Sequence, residues 1–310
     1  MPATALRPIS RPLPYMAPAR SIEKASPQSS NAPLGFLEMP ASESRVKIIA
    51  SRQNPGFKLL KSIVGSSRAR REHQAAWLEG DRLCAAFFSS EWPQAPILVI
   101  RDSPPAVQIS QSLRQRCKEI WSLEPSLYKE ITQVESPQGW GVLIPRISAT
   151  ASGRDGDVVI LDRLQDPGNV GSILRSSAAA GARAVWCISG TADPWSPKVL
   201  RSAMGAHFSL QIREEMTVQE VLIAVHSARL RLFATRLGSQ TDSLFDAALG
   251  LAQPVAWIFG QEGSGVSADL LHQARCIQIP QHAEVESLNV AAAAAVCLFE
   301  SRRQKNLAVL

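Results

Sequence analysis

The chain has 310 residues, with 33 Lys plus Arg against 27 Asp plus Glu and 45% apolar residues. That is length for two domains and apolar material for real cores, which excludes a wholly disordered protein. The longest apolar run, Val290 to Phe299, falls well short of the ~20 residues of a membrane span. Five scattered cysteines (Cys84, Cys117, Cys187, Cys276, Cys297) without a CxxC pair argue against a disulfide framework or a zinc site, and for reduced thiols in a cytoplasmic compartment.

Residues 1–45 are rich in Pro, Ser and Ala and keep no hydrophobic period, so they read as a disordered tail. Arg7, Arg11 and Arg20 with few acids resemble a transit peptide, but the prolines oppose an amphipathic helix, and Met39 is an alternative start. Residues 46–146 read as a small α/β domain. Val46–Ala50 predicts a strand, and Asn54–Pro55 a turn or cap ahead of a helix through Leu59, Leu60, Ile63 and Val64. Pro96–Arg101 predicts a buried strand, Val107–Trp121 an amphipathic helix, and Gly139–Pro145 a further strand. Residues 147–156 are a linker.

Residues 157–310 alternate strand and helix. Strands are expected at Val158–Leu161, Ala184–Ile188, Leu230–Ala234, Val255–Phe259 and Ile277–Ile279. Helices are expected at Asn169–Gly181, Pro197–Met204, Thr217–Ala228, Ser267–Ala274 and Asn289–Asn306. This alternation predicts a parallel sheet covered on both faces, with ligands beyond the carboxyl ends of its strands. The loops after Leu161, Phe259 and Ile279 therefore carry the chemistry.

Charge divides unevenly along the chain. Residues 1–45 carry five basic and three acidic side chains, residues 46–155 fifteen and ten, and residues 156–310 thirteen and fourteen. The excess peaks at Lys47, Arg52, Lys58, Lys61, Arg68, Arg70 and Arg71, a run of 25 residues without an acid. It is either a solvated helix face or a surface for the phosphates of a nucleic acid.

In the first loop, Asp166–Pro167–Gly168 is turn chemistry and Asn169 sits where a helix begins, where alone it reads as a helix cap; Arg175 is a long cation among small residues, suited to a structural acid or a ligand phosphate. The second loop, Phe259-Gly-Gln-Glu-Gly-Ser-Gly265, lets a ligand lie against the main chain but matches neither the dinucleotide fingerprint nor a P-loop. Its Glu262 either caps the next helix or works on a ligand. In the third, Ser287 or Asn289 caps the alanine-rich last helix, and His282 is more simply an incidental loop histidine than an acid or base. No metal-ligand cluster and no Ser/His/Asp set stands out.

Together, LDRLQDPGNVGSILRSSAAAGA, WIFGQEGSGVS and IQIPQHAEVESLNVAAAAAVCLFE resemble the three motifs of the SpoU (TrmH-like) RNA ribose 2′-O-methyltransferases of the SPOUT superfamily. Upstream, the segment from IIASRQNPGFKLLKSIVG to VESPQGWGVLIP resembles that family's substrate-binding domain. The resemblance implies an α/β SPOUT fold with a carboxyl-terminal trefoil knot, an S-adenosylmethionine cofactor, an RNA substrate (rRNA before tRNA) and a homodimer with sites near its interface. It implies that Gly260, Ile279 and Leu288 hold the cofactor, and that Asn169, Arg175, Glu262, Ser287 and Asn289 form the catalytic site. It assigns the basic run Lys47 to Arg71 to RNA binding. Gln281 and Ala283 depart from the usual Met and Gly of the third motif.

Overall fold

The computed structural model describes residues 46–103, 109–146, 156–238, 240–282, 284 and 286–308. The expected tail, Ala283 and all but the last residue of the expected linker lie outside the described residues.

The first sheet is built from β1 (Val46–Ile49), β2 (Ala75–Glu79), β3 (Ile97–Arg101), β4 (Glu119–Leu123) and β5 (Trp140–Pro145), in the order β1-β4-β3-β5-β2. Its helices are α1 (Pro55–Gly65), α2 (Ser67–Glu72), α3 (Asp81–Phe88), α4 (Gln111–Gln115) and α5 (Pro125–Ile131). Asn54 caps α1 as expected, accepting from the backbone N–H groups of Gly56 and Phe57. The helix expected over Val107–Trp121 is corrected: α4 ends at Gln115 and the chain turns into β4, which pairs in parallel with both β1 and β3. Leu113, Cys117, Ile120 and Trp121 happen to continue a helical spacing across the break. A central strand buried on both faces has no alternation to announce it.

The second sheet is all parallel. Its strands are β6 (Val158–Asp162), β7 (Ala184–Ile188), β8 (Gln211–Met216), β9 (Arg231–Thr235), β10 (Asp242–Ser243), β11 (Val255–Gly260) and β12 (Arg275–Gln278), in the order β10-β12-β9-β11-β6-β7-β8. Helices α6 (Pro167–Ala180), α7 (Pro197–Ala203), α8 (Val218–Ser227), α9 (Ala268–Leu271) and α10 (Val290–Leu307) cover it, with a separate apolar core on each face. β8 escaped the sequence reading because an edge strand reading QIREEM is mostly polar. The helix expected over Ser267–Ala274 shrinks to the single turn α9.

Two features position the site. Asp157, buried before β6, accepts hydrogen bonds from Ser301 Oγ (2.6 Å), Lys305 Nζ (2.5 Å) and the Val255 N–H (2.9 Å), and so ties α10 to the strand ends. The two sheets also share a core, since Trp195 and Leu200 pack among Leu78, Phe87 and Val142. Across that seam the buried Arg70 donates to Asp193 (2.6 Å) and to the Ile63 and Val64 carbonyls that end α1. Loss of one partner of a buried, hydrogen-bonded pair of this kind costs about 3–5 kcal/mol.

Candidate functional site

The carboxyl ends of the adjacent strands β12, β9 and β11 open onto one cleft of about 700 Å³. Thr235–Leu237 after β9, Gly260–Val266 after β11, Ile279 after β12 and Ser287–Val290 at the start of α10 line it. Gly260, Ile279 and Leu288, expected to hold a cofactor, are thus brought together. Gly260 is there for want of space: a Cβ on it would lie 2.2 Å from the backbone of Gly265 and Val266. The loop folds back on itself there, with the Gly265 N–H bonded to the Gln261 carbonyl (2.8 Å). Its far end is held by a residue that sequence reasoning passed over. Asp162, fully buried at the end of β6, accepts from the Ser267 N–H at 2.7 Å.

At the rim, one hydrogen-bonded chain joins the three motif loops. The Asn289 Oδ1 accepts from the Ala291 and Ala292 N–H groups at the head of α10 (2.9 and 3.3 Å), which makes Asn289 the N-cap. Its Nδ2 then donates to Asn169 Oδ1 (3.1 Å), and Asn169 Nδ2 donates to Glu262 Oε1 (2.6 Å). A backbone N–H can only donate, so the helix end dictates which way both amides point. The Glu262 carboxylate is therefore fixed by an N–H at one oxygen, leaving the other able to accept a proton.

Asn169 has this freedom because it does not cap its helix. α6 starts two residues earlier than expected, with Asp166 as N-cap accepting from the Asn169 N–H (2.8 Å). Glu262 likewise caps nothing; Ser267 holds the N-cap position of α9. Ser287 lines the cleft as an exposed hydroxyl. Arg175 is not gathered in: it stands exposed on α6, away from the cleft lining, and has no side-chain partner among the described residues. Arg236, which the motif comparison did not single out, is the one basic residue among the described lining residues, and Glu262 the one acid.

The basic run is partly neutralised in three dimensions. Lys47 pairs with Glu119 (2.9 Å), Arg52 and Lys61 both with Glu130 (2.5 Å each), and Arg71 with Glu215 (3.1 Å). Lys61 and Arg52 hold the Glu130 carboxyl below its ordinary range. These surface pairs are weak and open readily to a competing phosphate. Arg70 is different and leaves the set of RNA-binding candidates, being buried and committed to Asp193. Lys58 and Arg68 are exposed, without an ion pair among the described residues.

Comparison with known proteins gives a consistent picture. Residues 157–299 match the family model described as the SpoU rRNA Methylase family. The chain is 27% identical over 260 residues to the 23S rRNA (guanosine(2553)-2′-O)-methyltransferase RlmP of Bacillus subtilis, covering 83% of this chain and 100% of that protein. It is 42% identical over 151 residues to an uncharacterized tRNA/rRNA methyltransferase of Synechocystis, covering 47% of this chain and 53% of that relative, about half its length. The AdoMet-bound rRNA methyltransferase from Sinorhizobium meliloti superposes with a TM-score of 0.70 at 27% identity, covering 83% and 98% of the two chains. The SpoU methyltransferase AviRb from Streptomyces viridochromogenes, in complex with AdoMet, does so at 0.69 and 25%, covering 82% and 100%.

Proposed function

We propose that this chain, whose residues 157–299 match the SpoU rRNA methylase family and whose fold is shared by two solved methyltransferases holding AdoMet, transfers the methyl group of S-adenosylmethionine to a ribose 2′-oxygen of ribosomal RNA. The observation that carries this reading is the chain Asn289–Asn169–Glu262 at the rim of the cleft lined by Gly260, Ile279 and Leu288.

The cofactor supplies an electrophilic sulfonium methyl. The chain has three tasks around it. The folded-back loop after Gly260, with Ile279 and Leu288, offers backbone and apolar surface for an adenosine and excludes water. Glu262 takes the proton from the 2′-hydroxyl as the oxygen forms its bond to carbon, and Asn169 keeps that carboxylate aimed. Arg175, outside the cleft lining of its own chain, holds an RNA phosphate so that the ribose lies in line; Ser287 and Asn289 border the cleft itself. The basic domain over β1 to β5 grips the RNA through phosphates, with Lys58 and Arg68 the readiest contacts.

Two further parts belong to the same proposal. The protein is a homodimer through α10, where Ala292, Val296 and Phe299 recur at i, i+4 and i+7 and stay exposed, Phe299 by 48%. It works in the cytoplasm, in keeping with five free thiols and, among the described residues, no helix long and apolar enough to cross a membrane.

The direct test offers ribosomal RNA and transfer RNA separately with methyl-labelled S-adenosylmethionine, followed by nuclease digestion and mass spectrometry. A 2′-O-methylated nucleoside from ribosomal RNA is expected. Label on a base nitrogen, or on transfer RNA alone, would redirect the assignment.

Charge matching in the cleft gives a finer expectation. S-adenosylmethionine carries one carboxylate, and Arg236 is the cation placed to meet it. Arg236→Ala should weaken binding of S-adenosylhomocysteine about tenfold, the weight of one charge-assisted hydrogen bond of roughly 1.5 kcal/mol. Binding of methylthioadenosine, which lacks the amino-acid end, should not change. Calorimetry with the two ligands decides; equal losses for both would remove Arg236 from that role.

A further inference from the structure

The first sheet carries a second concave feature, on the face opposite the basic helix α1. It is a cleft of about 230 Å³ between the end of α3, the loop 89–96 and the end of α4. Its floor is Phe87 and Pro96, both buried, and one wall is the half-buried Trp92. The wall is fixed in place. Trp92 Nε1 donates to the Pro145 carbonyl (3.1 Å), and its ring packs edge-on against Phe208 at 5.5 Å, which in turn meets Phe87 at 5.5 Å.

The other wall is Arg116. Its guanidinium lies over the Phe88 ring at 5.1 Å from the centroid, which holds the cation with its outer side towards solvent. It has no hydrogen-bond or ion-pair partner among the described residues, so its N–H donors are unspent. Its sequence neighbours Arg114 and Lys118 also lack an ion pair among the described residues; Arg114 Nε donates to the Ile109 carbonyl (3.3 Å), and the Lys118 N–H bonds to the carbonyl of Pro96 at the cleft floor. Glu91 is the one acid of the loop 89–96. Arg116 is thus free of the carboxylates Glu119, Glu130 and Glu215 that pair with Lys47, Arg52, Lys61 and Arg71 of the basic run.

From this we infer that the cleft is a subsite for one unpaired nucleobase of the RNA substrate, stacked on the Arg116 guanidinium with Phe88 behind it. The inference rests on the RNA-binding reading given above. Three properties select this occupant. At about 230 Å³ the cleft is below the 300–1,000 Å³ of a drug-sized pocket, and suits a single planar group. Guanidinium and aromatic planes are the surfaces on which splayed-out RNA bases stack. The free N–H donors of Arg116 meet the phosphate beside such a base, while the exposed amide of Gln94 offers both a donor and an acceptor to the base edge.

The experiment measures equilibrium binding of the full chain to two probes, a short single-stranded oligoribonucleotide and the same sugar-phosphate strand without bases. The wild-type protein should prefer the base-bearing strand by about tenfold, the effect of one stacked base. Arg116→Lys keeps the charge and removes the plane; Phe88→Leu keeps the bulk and removes the ring behind it. Each should abolish most of the preference while leaving affinity for the abasic strand, and S-adenosylhomocysteine binding at the distant cleft, as in wild type. Retention of the wild-type preference by both variants would overturn the subsite, and so would a wild-type protein that binds the two strands equally. Should the wild-type protein bind neither strand, the RNA reading itself falls.

Discussion

Glu262→Gln should lower the rate of methyl transfer by about 10²–10⁴-fold, the usual weight of a positioned general base, while cofactor affinity stays within about threefold of wild type. The exchange is well matched to the geometry. A Gln side chain still offers a carbonyl oxygen to Asn169 Nδ2, so the 2.6 Å hydrogen bond and the chain behind it persist. What disappears is the negative charge and the capacity to take a proton. Because the head of α10 fixes the Asn289 amide, and Asn289 fixes Asn169, the Gln cannot be accommodated by reversing the chain; its NH₂ must face the ribose. Single-turnover methyl transfer, with cofactor binding measured separately, checks both halves. Wild-type turnover by the Glu262→Gln variant would move proton removal to another group. Asn169→Ala should produce a smaller fall, since it loosens the carboxylate without deleting it.

How far the sequence carried these conclusions depends on what kind of signal each residue leaves. The parallel sheet was legible because β6, β7 and β11 are buried on every residue and read as short apolar runs between helical periods. β4 is just as buried, but it follows α4 with an apolar spacing that continues the helix, and periodicity alone could not find the join. β8 failed for the opposite reason, being an edge strand with few apolar residues. The motif residues Asn169, Glu262 and Asn289 were named through family resemblance, and each one alone had a plain reading as a helix cap. Only coordinates show that Asp166 and Ser267 take two of those caps, and that Asn289 both caps α10 and passes its amide on to the site. Arg70 shows the converse. Within a run of 25 residues lacking an acid it looks like a surface cation, and its partner Asp193 lies 123 positions away. A charge count along the chain cannot see a pair made across the seam between the two sheets. Asp162 and Arg236 had no such misleading neighbour; their place at the carboxyl ends of β6 and β9 was the available signal.

Arg175→Ala should abolish measurable methyl transfer, a loss of at least about 10²-fold as expected for a group that positions or stabilises charge in the transition state, and S-adenosylhomocysteine should still bind. A guanidinium offers five donors and no acceptor, so it does not take the hydroxyl proton; it holds a phosphate. The sharper question is whose active site it serves. Arg175 lies six residues beyond Asn169 on α6, on a different face of the helix, exposed and outside the cleft lining of its own chain. α10, with exposed Val296 and Phe299, packs beside α6. The dimer proposed through that surface would let Arg175 of one protomer complete the cleft of its partner. Mixing two inactive proteins tests this without a structure of the complex. In a heterodimer of Arg175→Ala and Glu262→Gln chains, an arginine acting across the interface leaves one site with both an intact Glu262 and an intact Arg175, and activity returns. An arginine acting within its own chain leaves each site with one lesion, and the mixture stays dead. Co-refolding the two variants in equal amounts should therefore recover about a quarter of wild-type turnover, since random pairing makes about half the dimers mixed and each has one working site. Silence in the mixture, with heterodimers present by native mass spectrometry, would return Arg175 to its own cleft.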